Sequence, residues 1–219
     1  MFIIATGALA GFIHVLSGPD HLAAVTPMAV AGRERGWISG WTWGVGHASG
    51  VVVVAVLAVI LRDVLPPVEA ISAWSERIVG GALIAVGLWA LRRGAQMRPS
   101  AHEHGVVSHR HLHIEAGPAW LQRLGHPHAS FCLGVLHGVA GSSHFFGVLP
   151  ALALPSISAS LAYIGAFGVG TVLAMTAFAA AVGTATLKLP NGALPQRTMM
   201  MAAAALAIAV GAVWLAAAA

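Results

Sequence analysis

Uninterrupted apolar runs dominate this chain, as in the eleven residues from Val51 to Leu61, and they show no sustained two-residue alternation. Apolar stretches of about 18 residues or more, cut where charged or proline-rich segments intervene, are long enough to cross a bilayer as helices. They predict six spans at residues 3–31, 37–61, 74–91, 128–153, 158–187 and 198–217. A membrane barrel would alternate apolar and polar positions within segments of roughly 10 residues. Helices are the other way to satisfy backbone polar groups in lipid, so the expected fold is an all-α polytopic membrane protein.

Composition strengthens that reading. Of the 219 residues 58% are hydrophobic and 8% charged, against about a quarter charged in soluble domains. The net charge of +4 comes from scattered loop arginines rather than a basic patch, so nucleic acid is not an expected partner. Arg33, Arg35, Arg92, Arg93, Arg98, Arg110, Arg123, Lys188 and Arg197 fall on one side of the predicted topology, and Arg62 and Arg77 on the other. The positive-inside bias then puts the first group in the cytoplasm of a cell (inner) membrane, with both termini outside. The amino-terminal segment lacks a basic region ahead of its apolar stretch and is expected to stay as the first span. Trp37, Trp41 and Trp43 follow Arg33 and Arg35 and are expected to form an interfacial aromatic belt.

One connection is long. Residues 96–127 carry His102, His104, His109, His111, His113 and His126, with His128 just beyond, and read as a flexible, metal-collecting cytoplasmic loop. It separates two units, residues 1–95 and 128–219, that repeat one another. His14, Gly18 and His21 match His137, Gly141 and His144, and each set has a proline six residues on, at Pro27 and Pro150. At nearly the same offset, Trp43-Gly-Val-Gly-His47 matches Phe167-Gly-Val-Gly-Thr171, and Ala82 to Gly87 matches Leu206 to Gly211. Three spans are an odd number, so the second copy enters the membrane in the opposite sense, giving a 3+3 inverted-topology repeat. Such repeats hold their substrate near the midplane, between broken helices. Gly18-Pro19 and Gly141 predict breaks in spans 1 and 4, and Pro19 should free the carbonyl of Val15.

His14, Asp20, His21, His47, His137 and His144 are then expected deep in the bilayer, where an ionisable side chain is costly and points to function. Imidazoles with one carboxylate suit nickel, cobalt or zinc, whereas magnesium and calcium call for mostly oxygen ligands. Asp20 also stands where it could cap the helix that follows Pro19. Ser142 and Ser143 fall at the repeat positions of Pro19 and Asp20 and read as small residues in a helix contact. Cys132, the only cysteine, excludes an internal disulfide and reads as a small core residue. Met199 to Met201 read as lipid-facing or core filler.

His14 to His21 followed by Leu-Ala-Ala-Val, together with His137-Gly138 and Gly141-Ser-Ser-His144, resembles the nickel/cobalt transporter superfamily, and within it the short six-span urease-accessory (UreH-like) permeases. That family's motif is a His, four residues, then Asp-His. Here five residues separate His14 from Asp20-His21. The resemblance implies carriage of Ni2+ or Co2+ as substrate, with these side chains as ligands and no prosthetic group.

Enzyme readings find little support. A thiol-disulfide conduit on a three-plus-three layout needs a cysteine in each half, and only Cys132 is present. No His-Glu-x-x-His zinc motif exists, and span 6 offers no histidine to pair with Ser143 as a serine dyad. The remaining alternatives are uptake and efflux of nickel, cobalt or zinc on the same scaffold. The expected partners are the divalent ion and the bilayer, and cytoplasmic metallochaperones are compatible with the His-rich loop. Import is favoured because the membrane potential is worth about 2.3 kcal/mol per charge per 100 mV, or roughly 4.6 kcal/mol for a dication.

Overall fold

The computed structural model describes residues 1–61, 68–104, 107–114, 127–140, 143–188 and 193–217, and within these leaves aside the side chains of 58–61, 68–73, 75, 98–104, 107–114, 143–146, 148, 193 and 194. The helices are α1 (Phe2–Ser17), α2 (Pro19–Gly32), α3 (Gly36–Leu61), α4 (Val68–Gln96), α5 (Pro127–Ala140), α6 (Ser143–Leu152), α7 (Ile157–Lys188) and α8 (Ala193–Ala217). A short 3-10 turn, Arg33–Arg35, joins α2 to α3, and Arg33 enters it at a φ of 50°.

Among the described residues four segments are long and apolar enough to cross a membrane: Pro19–Leu57, Glu76–Gln96, Ile157–Lys188 and Pro195–Ala217. Span 1 divides at Gly18, as the Gly-Pro pair predicts, and span 4 divides into α5 and α6 on either side of residues 141 and 142, which lie outside the described residues. The break explains why span 1 does not stand among the four as a single crossing. At 1.5 Å per residue the 16 residues of α1 reach only about 24 Å, less than a hydrocarbon core of about 30 Å.

The fold is helical throughout the apolar segments, and a short ribbon stands within the long connection. Two antiparallel strands, β1 (Met97–His104) and β2 (Val107–Ile114), follow α4 directly, with His102 paired to His109. Pro99 accounts for the switch, because a proline biases the residue before it away from helix toward extended backbone. Residues 105, 106 and 115–126, including His126, lie outside the described residues.

Helix packing follows an exchange between the halves. The helix α1 lies along α7 and α5 along α3, while α3 meets α7 and α4 meets α8. Glycines set these approaches. A Cβ added at Gly11 would collide with the Phe167 carbonyl, and one at Gly170 with the Ala8 carbonyl. On the other side Gly134 meets the Trp43 carbonyl and Gly46 that of Phe131. Gly87 faces the Ala204 carbonyl as Gly211 faces that of Gly80. Each approach in one half thus has a counterpart at the offset of the sequence match. Small residues let membrane helices come this close, where dispersion and packing replace the hydrophobic drive.

Gly11→Ala and Gly134→Ala would press a methyl onto a fixed carbonyl, whereas Gly165→Ala enters open space. All three gain about 1 kcal/mol in helix propensity. In detergent, Gly165→Ala should therefore raise the thermal midpoint, while the other two lower it, because overpacking at about 1–3 kcal/mol offsets that gain and leaves a net loss of up to about 2 kcal/mol. Equal shifts for all three would contradict the close approaches.

Candidate metal centre

The break at Gly18 builds the site. Gly18 takes an extended conformation, with φ −89° and ψ 102°, and its N–H donates to the carbonyls of His14 and Val15 at 3.1 and 3.3 Å. The Val15 carbonyl is therefore satisfied by Gly18 instead of being released by Pro19. The Gly18 carbonyl accepts from the N–H groups of His21 and Leu22, which starts α2. Pro19 fills the first helical position, where its missing donor is not needed. Glycine is required at 18 for space: a Cβ there would strike the His21 ring and the Asp20 carboxylate. The last turn of α1 thus presents His14, and the first turn of α2 presents Asp20 and His21.

Asp20 does not cap α2 through its side chain. Its two oxygens instead face two imidazoles from opposite halves of the chain. His21 Nδ1 lies 2.9 Å from Oδ1, and His137 Nε2, from α5, lies 3.0 Å from Oδ2. With those nitrogens protonated, both rings donate to the carboxylate. His21 then keeps Nε2 as its acceptor nitrogen, the tautomer arrangement that a carboxylate imposes on metal-binding histidines.

The other rings gather around His21. Its centroid is 4.6 Å from that of His14, 4.8 Å from that of His47 and 4.8 Å from that of His137. Asp20 and His21 are 1% and 0% exposed, His47 0% and His137 4%, so the cluster is sealed inside the helices. His14 is half-buried. Among the described residues two sets of three could hold a metal ion, His14 with His21 and His47, and Asp20 with His21 and His137, the ligand atoms within each set lying within 4.8 Å of one another.

Five of the six expected site residues therefore come together. His144 belongs to α6, but its side chain lies outside the described ones, and Ser142 lies outside the described residues. Trp43 departs from the expected belt. Trp37 and Trp41 are each 48% exposed, but Trp43 is 1% exposed, stacked on His47 at 4.8 Å with 11° between planes, and 5.2 Å from His137. The signal was available, because positions four apart share a helix face and Trp43 precedes His47 by four. Phe167, at the repeat position of Trp43, lies 5.4 Å from His14. Cys132 is exposed rather than in the core, since five residues turn a helix about 140° away from the face of His137. Met200 is fully buried, with Met199 packed against the same core.

Comparison with known proteins adds a lineage. No family model and no solved structure matches the chain. Chloroplast protein FOR GROWTH AND FERTILITY 1 of Arabidopsis thaliana is 38% identical over 82% of this chain and 49% of its own length. Chloroplast protein FOR GROWTH AND FERTILITY 2 of the same plant is 33% identical over 94% of this chain and 53% of its own length. The chain thus spans about half the length of these two relatives. The urease accessory protein UreH of Bacillus sp. (strain TB-90) is 28% identical over 83% of this chain and 76% of its own length. UreH is a distant homologue of this chain. Together with the apolar helices, the relationship supports a multi-pass membrane protein.

The bridging carboxylate makes a stability test. Asp20→Ala strands two buried donors and should cost about 1–3 kcal/mol, read by thermal unfolding in detergent. Glu34→Ala, at an exposed position, should stay within about 0.5 kcal/mol of the parent. Equal effects would mean that Asp20 does not hold the halves together.

Proposed function

We propose that this chain is a permease for a divalent transition-metal cation, nickel or cobalt, and that it carries the ion inward through a site shared by its two halves. The observation that carries the reading is the buried Asp20 carboxylate bridging His21 of one half and His137 of the other, with His14 and His47 packed around His21. A carboxylate among helices of this apolarity is expensive unless it has a purpose, and its companions are borderline nitrogen ligands. The distant homology with UreH agrees with the nickel/cobalt permease resemblance of the motif.

On this reading His14, Asp20, His21, His47 and His137 are ligands to the transported ion. His144 joins them on the strength of its internal match with His21. The paired glycine approaches support an inverted repeat of three spans, residues 1–95 against 128–219, which would set the ligands at the repeat interface. Inward movement of a dication gains roughly 4.6 kcal/mol per 100 mV with no coupling ion. The His-rich segment, on the cytoplasmic side, then receives and buffers metal and hands it to cytoplasmic metallochaperones.

Total cell metal, measured across nickel, cobalt and zinc in cells expressing the protein, tests the function. Expression should raise nickel or cobalt, and His21→Ala or His137→Ala should return it to background while the protein still reaches the membrane. Lowered metal with gained resistance would replace uptake by efflux, and wild-type transport by both variants would remove the site from the pathway. Orientation is tested separately with a cysteine placed at Ser108: an impermeant thiol reagent should reach it only in permeabilised or inverted membranes. Labelling from outside intact cells would reverse the topology and the role given to the His-rich segment.

A further inference from the structure

We propose that the buried cluster is two successive metal stations that share His21, and that the ion passes between them during transport. This rests on the permease reading. The first station is His14, His21 and His47, and the second is Asp20, His21 and His137, with the ligand atoms within each set no more than 4.8 Å apart. A neutral imidazole has a single lone-pair nitrogen, so His21 serves one station at a time. His21 is also the central ring, at 4.6 Å from His14 and 4.8 Å from His137. A short swing of one imidazole therefore suffices for the transfer.

The stations differ in two ways that give the transfer consequences. The first consists of three neutral imidazoles and leaves a dication with its full charge in a water-poor interior. The second adds a carboxylate, which halves the net charge of the occupied site and deepens the binding well. The first also draws every ligand from α1, α2 and α3, whereas the second joins α2 to α5 through Asp20 and His137. Metal in the first station makes no demand on the relative position of the halves. Metal in the second clamps them. Passage of the ion is thereby coupled to closure of one half on the other, the rigid-body movement by which such repeats alternate access.

The neighbours of the two terminal rings fit this division. His14 lies 5.4 Å from Phe167, and His137 lies 5.2 Å from Trp43, residues at matching positions of α7 and α3. Each terminal histidine thus rests on an aromatic ring from the middle helix of the opposite half.

The test uses the full chain in nanodiscs with Ni2+ as probe. It measures equilibrium affinity, the number of imidazoles bound by X-ray absorption, and uptake into proteoliposomes. His14→Ala should keep nickel with two imidazoles and His137→Ala with three, each within about tenfold of wild-type affinity, the lower end of the cost of disturbing a metal's supporting residues. Both should lose transport, and His21→Ala should lose binding and transport together. Size-exclusion profiles check folding, and His14→Gln and His137→Gln replace any alanine variant that aggregates. Loss of binding in either terminal variant, or identical imidazole counts in both, would show one composite site and overturn the relay while leaving the permease reading in place. Transport retained by either would equally overturn it. Failure of the wild-type chain to bind nickel, and cobalt offered in its place, would instead remove the permease reading itself.

Discussion

A carboxylate placed among apolar helices has to be held by donors, and here the donors come from both halves of the chain. Asp20 meets His21 beside it and His137 across the bundle, and the rest of the architecture serves that meeting. The break at Gly18 turns Asp20 and His21 inward at the first turn of a new helix. The approach of α5 to α3 brings His137 within reach, and that approach depends on Gly134 and Gly138, which sit against the carbonyls of Trp43 and His47. A side chain at either position would hold α5 away and leave the carboxylate with half its partners.

The same dependence explains why the bundle is rich in glycine at its crossings. Apolar side chains gain little by leaving lipid for protein, so backbone proximity has to supply much of the association. Thr171 extends the theme: its hydroxyl bonds the Phe167 carbonyl at 3.0 Å within its own helix and reaches the Gly11 carbonyl of α1 at 3.5 Å.

Much of this was legible in the sequence, and the failures have physical causes. The break at Gly18, the convergence of His14, Asp20, His21, His47 and His137, and the extents of α7 and α8 to within a few residues follow from apolar length, helix breakers and the internal match. The ribbon at Met97–Ile114 did not, because histidine-rich polarity carries neither a helical nor a strand period strong enough to outweigh composition. Trp43 was misjudged because three tryptophans close to a charged turn satisfy the interfacial pattern as a group. Only the four-residue step to His47 separates the buried one from its neighbours. Cys132 was misjudged because burial statistics for cysteine ignore which face of α5 it occupies. The identity of the residues that set helix spacing was also hidden, since a glycine in an apolar run looks alike whether it faces open space, as Gly165 does, or a carbonyl, as Gly11 does.

The match between Trp43-Gly-Val-Gly-His47 and Phe167-Gly-Val-Gly-Thr171 keeps the aromatic wall and changes the residue four positions on. A scaffold with two interchangeable halves would show the same chemistry to either leaflet and could not tell one direction from the other. With a hydroxyl at Thr171 where His47 has an imidazole, the two matched stretches are not equivalent: α3 supplies a nitrogen at this position and α7 does not. His47 thus adds to the difference that Asp20 already makes, since Ser143 at the matching position has no carboxylate: the first unit carries buried donors that the matched positions of the second lack.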